Sequence, residues 1–344
     1  MASYGHERIV FSYDEGSGLR SIIAVHSTAL GPAVGGLRIW PYQTEEEALF
    51  DVLRLSRGMT YKNAAMGLDY GGGKAVIMVD SNEEKTTDMI RAFGWLVESL
   101  GGSYVTGEDV GCSQEDIGVI MEETSHVIGV PGKSGNPSPV TAYGVFYAMK
   151  AAANHCWGSD DLNDKKVVVQ GAGNVGLSLI EQLLEVGATV YVSDIMADKV
   201  DRAVKLGATA IEEEAVFSTE ADIFAPCALG GILNDDTIPQ FRAEIICGSA
   251  NNQLLESKHG RMLAERGILY SPDFIVNGGG VINAAEEMAS GGYNKERALA
   301  KAANIYNILL QVFALAKERD ILPYEAANAL AEERIAQALA KKKE

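Results

Sequence analysis

The sequence VVVQGAGNVG at residues 167–176 determines the fold of the second half of this chain. Its first four residues are typical of a short buried strand, and a helix is expected after the last glycine. Between them lies a GxGxxG pattern: the first glycine permits a tight turn, the second lets backbone approach a pyrophosphate, and the third lets helix and strand pack closely. Free N–H groups at the helix N-terminus favour an anion there. The residues predicted to contact a dinucleotide are Gly171, Gly173, Asn174, Val175 and Gly176.

An acidic residue follows at the position that selects between nicotinamide cofactors. Asp194 ends the next expected strand, about 20 residues after Gly171, where a carboxylate accepts the ribose hydroxyls and repels a 2′-phosphate. No arginine follows it immediately, so we predict NAD and not NADP. Further strands expected at 223–226 and 245–247 alternate with helices, which favours a Rossmann domain with a parallel sheet. The alternative is a glycine turn followed by a surface aspartate, and the strand–turn–helix context argues against it.

Composition excludes several classes of protein. The chain has 344 residues and a formal net charge of −18, which repels nucleic-acid phosphates and anionic lipid. The 4 cysteines lie far apart, and the 5 histidines show no metal-ligand spacing, so we predict neither disulfides nor a metal site. No run approaches about 20 uninterrupted apolar residues, and the N-terminus lacks the apolar region of a secretory signal. We therefore expect a cytoplasmic protein without nucleic-acid or membrane partners.

The first third of the chain mixes expected strands with a helix. Residues 22–26 and 75–79 are short, apolar and rich in β-branched side chains, as strands are. Thr44–Arg57 has the apolar spacing of a helix, with Thr44 as N-cap and Glu47 completing a capping box. The turn-rich stretch KSGNPSP at 133–139 is typical of a domain boundary.

Two lysines and one aspartate in this first third are candidates for chemistry. Lys62 lies in GMTYK, Lys74 follows three glycines in GGGK, and Asp109 stands between glycines in GEDVG. Either lysine alone is more commonly a solvated surface residue, and Asp109 could equally be a turn or cap residue. Three glycines directly before a lysine weaken a fold unless something must approach closely, which favours a functional role.

A set of collinear segments runs through nearly the whole chain: GGLRIWPY (35–42), LRLSRGMTYK (53–62), GGGKAVI (71–77), GEDVG (107–111), SGNPSPVTAYGV (134–145), GAGNVG (171–176), FAPCALGGILN (224–234), GSANNQL (248–254) and PDFIVNGGGVIN (272–283). Together they resemble the glutamate/leucine/phenylalanine/valine dehydrogenase superfamily, and within it most closely the leucine dehydrogenase branch. The resemblance implies an α/β fold with an N-terminal α/β substrate and oligomerisation domain at 1–135 and an NAD-binding Rossmann domain at 136–324. It implies an active-site cleft between them and a C-terminal helix, about 325–344, that could pack back on the first domain.

The resemblance also implies an activity and a set of site residues. The reaction is the reversible oxidative deamination of an L-amino acid to a 2-oxo acid, ammonium and NADH, by a homo-oligomer. Lys62 matches the lysine that holds the substrate carboxylate, Lys74 the catalytic lysine, and Asp109 the acid that exchanges protons with the substrate nitrogen. Asn252 matches an asparagine near substrate and cofactor, and Thr141 a threonine at the nicotinamide carboxamide. The remaining residues expected at the cofactor are Cys227, Ala228 and Ala250.

Elementary electrostatics supports the two catalytic roles. Two lysines in one cleft raise each other's cost of being charged, so the pKa of one can fall towards neutrality. We assign that role to Lys74, as the base that activates water and then hydrogen-bonds the developing alkoxide, while Lys62 stays charged against the carboxylate. Asp109 takes a proton from the substrate ammonium.

The substrate side chain is the least determined part of the site. Residues expected around the substrate, besides Lys62 and Asn252, are Gly35, Met59, Gly71, Gly107, Val281 and Ala284. Gly107 stands where leucine dehydrogenases commonly carry Ala, and Ala284 where they commonly carry Val, and both changes enlarge the pocket. We therefore predict a branched-chain L-amino acid dehydrogenase with broadened acceptance. A phenylalanine or larger aromatic dehydrogenase is the alternative, and a non-catalytic NAD-binding regulator is a remote one.

Overall fold

A computed structural model describes residues 5–81, 84–130 and 132–342. Residues 1–4, on which the expectation about a secretory signal partly rests, lie outside the described residues. The chain forms two compact units. The first comprises the residues before 137, residues 284–293 and those after 330; the second comprises 137–283 and 294–330. Residues 284–293 therefore belong with the first unit, although they fall inside the range expected for the nucleotide domain.

The first unit is built on a mixed sheet. Within the described residues its strands are β1 (Arg8–Asp14), β2 (Leu19–Ser27), β3 (Ala33–Val34), β4 (Leu37–Trp40), β5 (Gly71–Met78) and β6 (Tyr104–Val105). Its helices are α1 (Glu45–Ala65), α2 (Thr87–Ser99) and α3 (Gln114–Glu123). Strands β1, β2 and β5 pair antiparallel in that order. On its other edge β5 pairs parallel with β3 and then with β4, and β3 pairs parallel with β6.

Strand alternation divides this sheet into two buried faces. Ile22 and Val76 pack in a cluster with apolar residues of α1, whereas Ile23 and Ile77 pack in a cluster with residues of α2 and α3. Successive side chains of a strand point to opposite faces, so every second residue of β5 faces α1. Lys74 lies two residues before Val76 and therefore shares the face on which α1 packs.

The expected helix at Thr44–Arg57 is present but longer than expected, since α1 continues through Ala65. Lys62 consequently lies on this helix. Thr44 caps it as expected, accepting a hydrogen bond from the Glu47 backbone nitrogen at 3.1 Å. The capping box was wrong, because the Glu47 carboxylate accepts from the backbone nitrogen of Gln43 at 3.0 Å and not from that of Thr44.

The second expected strand also begins earlier than expected, because β5 starts at Gly71 and not at Ala75. The glycines are part of the strand since their neighbours leave no room for a side chain. A Cβ on Gly72 would overlap the backbone nitrogen of Thr60 in α1, and one on Gly73 would lie 2.7 Å from the ring of Tyr104. These glycines let helix and strand approach closely on both faces of the sheet.

The second unit is a parallel sheet with helices. Within the described residues its strands are β7 (Lys166–Gln170), β8 (Thr189–Ser193), β9 (Thr209–Ala210), β10 (Ile223–Pro226), β11 (Ile245–Ile246) and β12 (Leu269–Tyr270). Its helices are α4 (Ser138–Trp157), α5 (Asn174–Glu185), α6 (Ala197–Leu206), α7 (Lys258–Glu265), α8 (Asp273–Val276), α10 (Lys295–Ala303) and α11 (Ile305–Arg319). Two further helices, α9 (Gly279–Ala285) and α12 (Pro323–Lys341), contribute residues to both units. The strand order is β12-β11-β10-β7-β8-β9, all parallel, which is the order of a dinucleotide-binding Rossmann sheet.

One helical run in the second unit is unusually apolar. Residues 295–319, which form α10 and α11, are the one run among the described residues with the length and composition of a membrane span. Lys301 and Asn304 interrupt this run, so it does not contradict the expectation, which concerned uninterrupted apolar residues. Its apolar residues Ile305, Leu309 and Phe313 are buried in the second unit, with Phe313 stacked on His155 of α4. A core helix of a globular unit accounts for this pattern.

The last helix is tied to the first unit by one arginine. Arg334 of α12 donates to the backbone oxygens of Ala64 and Leu68 at 2.9 and 2.8 Å, and pairs with the Asp69 carboxylate at 2.8 Å. Carbonyl groups at a helix C-terminus lack partners within the helix, and a guanidinium satisfies them well. Arg334 therefore fixes the end of α1 that follows Lys62.

The glycines of β5 give a direct test of this packing. Gly72→Ala should destabilise the protein by roughly 1–3 kcal/mol, because the added methyl group displaces backbone of α1. Gly118→Ala is the matched control: Gly118 lies inside α3 with open space around its Cα, and alanine is the better helix former by about 1 kcal/mol. Thermal unfolding should show a lower Tm for the first variant and an equal or higher Tm for the second. Equal Tm values for both variants would contradict the packing described here.

Candidate active site

An interruption between two strands lies beside Lys74. Val34 of β3 pairs with Gly72, and Leu37 of β4 pairs with Ala75, so Gly35 and Gly36 form a gap opposite Gly73 and Lys74. A Cβ on Gly35 would overlap the Gly73 carbonyl oxygen and lie 3.2 Å from Cγ of Met59. Gly35 thus lies against Met59 and against the backbone just before Lys74, and their membership of one substrate site stays a prediction.

Lys74 and Asp109 form a buried ion pair. The Lys74 Nζ lies 3.0 Å from Oδ2 of Asp109, and Lys74 is only 5% exposed. Burial lowers the pKa of Lys74, and the attraction of Asp109 opposes that shift only in part. Burial would raise the pKa of Asp109, but the charges of Lys74 and Arg38 together hold it below its usual value. The pair thus combines an amine and a carboxylate whose pKa values both lie below their ordinary values.

Sequence reasoning missed a second cation on the same carboxylate. Arg38 of β4 places Nε 3.1 Å from Oδ2 of Asp109 and Nη1 2.9 Å from Oδ2 of Asp51 in α1. The hydroxyl of Tyr42 donates to the same Asp51 oxygen at 2.7 Å. Arg38 stands in register with Val76 and therefore on the face of the sheet that carries Lys74. The pairing of β4 with β5 is the signal that identifies it, and the sequence alone does not supply that pairing.

An apolar cluster lies next to the two residues expected to set the pocket size. Val34, Val105 and Ile128 are buried together, with Tyr70, Ala284 and Met288 packed against them. A Cβ on Gly107 would lie 3.2 Å from Cγ1 of Ile128. Gly107 therefore adjoins Ile128, and Ala284 packs against the cluster that contains it. The sequence analysis did not single out Ile128.

The segment that carries Ile128 is held by a carboxylate. Glu287 accepts hydrogen bonds from the backbone nitrogens of Val130 and Ser134, at 3.2 and 3.0 Å. These bonds tie the segment after Ile128 to the residues that follow Ala284. The Glu287 carboxylate thus helps to fix the position of Ile128 relative to Ala284.

The other expected substrate residues are placed less decisively. Lys62 is half-buried on α1, about one turn after Met59. Gly71 is explained by packing, since a Cβ there would overlap the carbonyl oxygen of Ser27. Val281 is half-buried on α9, about one turn before Ala284. Their contacts with a substrate stay predictions.

The glycine turn of the second unit has the shape that a pyrophosphate requires. Gly171 follows β7 with φ +100°, and its Cα lies against the backbone of Cys227 and Ala228. A Cβ on Gly176 would overlap the Gly171 carbonyl oxygen, so helix α5 and the turn are in direct contact. Gly173 caps α5 with open space around it. The N–H groups at the start of α5 lack partners within the helix, and their contact with a pyrophosphate stays a prediction.

Asp194 has a structural role in the described residues, and its expected contact with a ribose stays a prediction. Its Oδ2 accepts from the backbone nitrogen of Ala172 at 2.8 Å, and its Oδ1 accepts from that of Met196 at 2.9 Å. From its position after β8, the Asp194 carboxylate thus holds the glycine turn that follows β7. The Nζ of Lys199 lies 3.9 Å from Oδ1. A carboxylate accepts about four hydrogen bonds, so the ribose hydroxyls can share it.

The remaining expected cofactor residues lie around the ends of β10 and β11 and at the start of α4. The Ala250 nitrogen donates to the Pro226 carbonyl oxygen at 2.8 Å, and Asn252 adopts the left-handed backbone conformation at φ +51°. Burial raises the pKa of the Cys227 thiol, as expected for an unreactive residue. Thr141 in α4 donates its hydroxyl to the Pro137 carbonyl oxygen at 2.9 Å.

One cluster has the composition of a metal site. Among the described residues, Asp235, Glu256 and His259 bring ligand atoms within 4.8 Å of one another. The Nζ of Lys258 already lies 2.7 Å from Asp235 and 3.5 Å from Glu256. His259 accepts a backbone hydrogen bond at Nδ1, and its Nε2 lies 3.5 Å from Asp235. The Lys258 cation already lies between the two carboxylates, and the absence of a metal stays a prediction.

Family comparisons match both units. The model of the Glu/Leu/Phe/Val dehydrogenase dimerisation domain matches residues 6–126. The model of the glutamate/leucine/phenylalanine/valine dehydrogenases matches residues 132–198 and 194–342. The chain belongs to the glutamate/leucine/phenylalanine/valine dehydrogenase family. The resemblance drawn from the motifs and the two-domain α/β fold are both confirmed.

Individual members of this dehydrogenase family are similar over nearly the full chain. The leucine dehydrogenase of Geobacillus stearothermophilus is 53% identical over 97% of this chain and 92% of its own. The phenylalanine dehydrogenase of Bacillus thermotolerans is 48% identical over 96% and 88%. The crystal structure of L-tryptophan dehydrogenase from Nostoc punctiforme superposes with a TM-score of 0.89 at 46% identity, covering 98% of both chains. The protein is thus an amino acid dehydrogenase of this family.

The buried pair can be tested by its effect on stability. Asp109→Asn leaves Lys74 buried beside a neutral amide, so it should lower the free energy of unfolding by about 3 kcal/mol. Lys74→Met with Asp109→Asn removes both charges and should lower it by less than the two single changes summed. The double-mutant cycle, measured by urea unfolding at pH 7, should give a coupling of at least about 1 kcal/mol. Additive effects would show that the two side chains do not interact.

Proposed function

We propose that this dehydrogenase catalyses the NAD-dependent, reversible oxidative deamination of a branched-chain L-amino acid such as leucine, valine or isoleucine. The products are the 2-oxo acid, ammonium and NADH. The observation that carries the proposal is the buried Lys74–Asp109 pair beside the Gly35–Gly36 gap, in the same unit as the apolar cluster around Ile128. The similarity to leucine dehydrogenases over nearly the full chain supports the choice of an aliphatic substrate.

Asp109 and Lys74 divide the proton transfers between them. Asp109 is ionised, so it can accept a proton from the substrate ammonium group and leave the amine lone pair free to assist hydride departure from Cα. Bound NAD supplies the acceptor for that hydride. Lys74 has a lowered pKa, so its neutral amine can take a proton from the water that attacks the resulting iminium carbon. Expulsion of ammonia then gives the 2-oxo acid.

The distance between these two groups lets them exchange protons. The Lys74 Nζ and the Asp109 Oδ2 lie 3.0 Å apart, within hydrogen-bonding reach, so a proton collected by one can pass to the other. After the attack of water, the protonated Lys74 can stabilise the oxygen that develops negative charge. Lys62, on the neighbouring helix α1, would hold the substrate carboxylate as a permanent cation.

The apolar cluster supports an aliphatic side chain over a charged one. Val34, Val105 and Ile128 offer hydrocarbon surface, which stabilises a branched alkyl group by burial and penalises a buried carboxylate. The missing methyl groups at Gly107 and Ala284 give the aromatic alternative a specific basis, since Gly107 adjoins Ile128 and Ala284 packs against the same cluster. A phenylalanine or larger aromatic substrate is therefore the second candidate.

The glycine turn and Asp194 support NAD as the cofactor. Gly173 and the exposed start of α5 would hold the pyrophosphate, and Asp194 would bind the adenosine ribose. Thr141, Cys227, Ala228, Ala250 and Asn252 would complete the site within the second unit. We also propose a cytoplasmic homo-oligomer, which the match of the first unit to a dimerisation domain supports.

Keto-acid preference tests the proposed activity. With excess ammonium and NADH, kcat/KM should be higher for 4-methyl-2-oxopentanoate than for phenylpyruvate, measured as loss of NADH absorbance. A higher value for phenylpyruvate would favour the aromatic alternative. Turnover of neither keto acid, with NADH still bound, would contradict the proposed activity.

Refilling the pocket tests which residues set that preference. Gly107→Ala with Ala284→Val adds three methyl groups' worth of carbon next to Ile128, so kcat/KM for phenylpyruvate should fall more than that for 4-methyl-2-oxopentanoate, by roughly tenfold or more. The matched control is Gly118→Ala in α3, which should leave the ratio unchanged. An unchanged ratio in the double variant would show that these residues do not line the side-chain pocket.

Cofactor choice is tested at Asp194. Wild-type enzyme should use NADH far better than NADPH, and Asp194→Ser should lower the NADH/NADPH ratio of kcat/KM by roughly tenfold or more, because the 2′-phosphate is no longer repelled. Lys199, which lies beside Asp194, is then available to the phosphate. Asp198→Asn, an exposed acid in the first turn of α6, is the control and should change the ratio little. A ratio that stays at the wild-type value in Asp194→Ser would exclude Asp194 as the selecting residue.

A further inference from the structure

Arg38 joins two acids that belong to different elements of the first unit. It lies on β4, and its guanidinium reaches Asp109, in the segment after β6, through Nε at 3.1 Å. Through Nη1 it reaches Asp51 on α1 at 2.9 Å. The two bonds involve different nitrogens of one planar guanidinium group, so the two carboxylates together fix the orientation of that group.

Asp51 is itself held in place. Its Oδ2 accepts from the hydroxyl of Tyr42 at 2.7 Å, and its Oδ1 lies 3.2 Å from Nη2 of Arg54 on the same helix. Burial opposes ionisation of Asp51, but the Tyr42 hydroxyl and the Arg38 charge keep its pKa below the usual value. Arg38 therefore has a permanent anion on the side away from Asp109.

The two cations on Asp109 contact the same oxygen. The Lys74 Nζ lies 3.0 Å from Oδ2, and the Arg38 Nε lies 3.1 Å from the same atom. Among the residues that the structure describes, no donor contacts Oδ1, and the Asp109 side chain is 24% exposed. One oxygen of the carboxylate is thus anchored while the other is available to an incoming donor.

We propose that Arg38 is a positioning residue: held by Asp51, it fixes Oδ2 of Asp109 beside Lys74 and leaves Oδ1 to receive the proton of the substrate nitrogen. This role rests on the proposed function, in which Asp109 exchanges that proton. Without Arg38, Lys74 alone would hold Asp109, and the carboxylate could rotate about its Cα–Cβ and Cβ–Cγ bonds. The free oxygen would then no longer be kept in one place.

Arg38 also sets the charge balance of the pair. Its positive charge helps keep the pKa of Asp109 low and adds to the lowering of the pKa of Lys74 that burial causes. Among the described residues, nearby titratable groups include Asp51 of α1, which contacts Arg38, and Tyr104 and Cys112, which lie in the cluster on the opposite face of the sheet. Burial raises the pKa of the Cys112 thiol to about 12 and also raises the pKa of the Tyr104 hydroxyl, so neither titrates near neutrality.

The direction of the pH effect follows from these charges. Loss of the Arg38 cation raises the pKa of Asp109, so this carboxylate becomes protonated at a higher pH than in the wild type. It also raises the pKa of Lys74, so a higher pH is needed to deprotonate the amine. The active form of the pair has an ionised Asp109 and a neutral Lys74. With both pKa values raised, this form is lost at a higher pH than in the wild type, so the acid limb of kcat/KM for deamination moves to higher pH.

The test compares Arg38→Gln and Arg38→Lys with wild type in oxidative deamination of L-leucine at saturating NAD. Arg38→Gln should lower kcat by tenfold or more with a smaller change in KM, and should move the acid limb of kcat/KM up by about one pH unit. Arg38→Lys keeps the charge but replaces the rigid planar fork with a single flexible ammonium group, so the limb should stay near its wild-type position while kcat falls. The matched control is Arg20→Gln, which removes an exposed arginine paired with Asp80 in the same unit and should change neither quantity.

The outcomes separate this role from a merely structural one. A structural role would reduce the amount of active enzyme and leave the acid limb where it is in wild type, which would overturn the proposal. If Arg38→Gln does not fold, Arg38→Lys decides, because an unchanged kcat in that variant would exclude positioning by the two-sided contact. Wild-type enzyme that deaminates no L-amino acid would contradict the proposed function itself, whereas an active wild type with indifferent Arg38 variants would contradict only the role of Arg38.

Discussion

The first unit is organised around a lysine amine that is almost completely removed from water. A buried ammonium group is strongly destabilising unless an anion lies beside it, and Asp109 meets that requirement at 3.0 Å. Bringing the two together requires β4, β5 and the segment after β6 to approach more closely than side chains permit. The glycines at 35, 36, 72 and 73 supply that space, and α1 packs directly on the strand as a result. The same glycines thus allow both the close packing of this unit and the contact between Lys74 and Asp109.

The second unit shows the same relation between close approach and chemistry. The turn between β7 and α5 requires glycine, because a Cβ at Gly171 or Gly176 would overlap neighbouring backbone or side-chain atoms. The carboxylate expected to bind ribose also holds the turn, through the Ala172 nitrogen. If Asp194 binds the ribose as proposed, the carboxylate that selects the cofactor also holds the glycine turn. A change at this position would then affect stability and cofactor choice together.

Specificity in the proposed reaction depends on small differences of volume beside Ile128. Hydrocarbon pockets discriminate weakly between substrates, by about 1–3 kcal/mol for one methylene group. Relatives of similar sequence accordingly include leucine, phenylalanine and tryptophan dehydrogenases. The catalytic pair, in contrast, depends on charge at short range and allows little variation in geometry. This difference explains why the family and its reaction are easier to assign than the side chain of the substrate.

The sequence by itself determined the Rossmann topology, the positions of most strands, and Lys74, Asp109 and Asp194 as candidates, because these depend on local patterns of glycine, apolar residues and charge. It misplaced the start of β5 and the end of α1, since local propensity does not include the packing of Gly72 against Thr60. Arg38, Asp51 and Ile128 emerged only in the tertiary structure. Each acts through residues far away in the chain, and only strand register and helix packing decide which distant side chains meet.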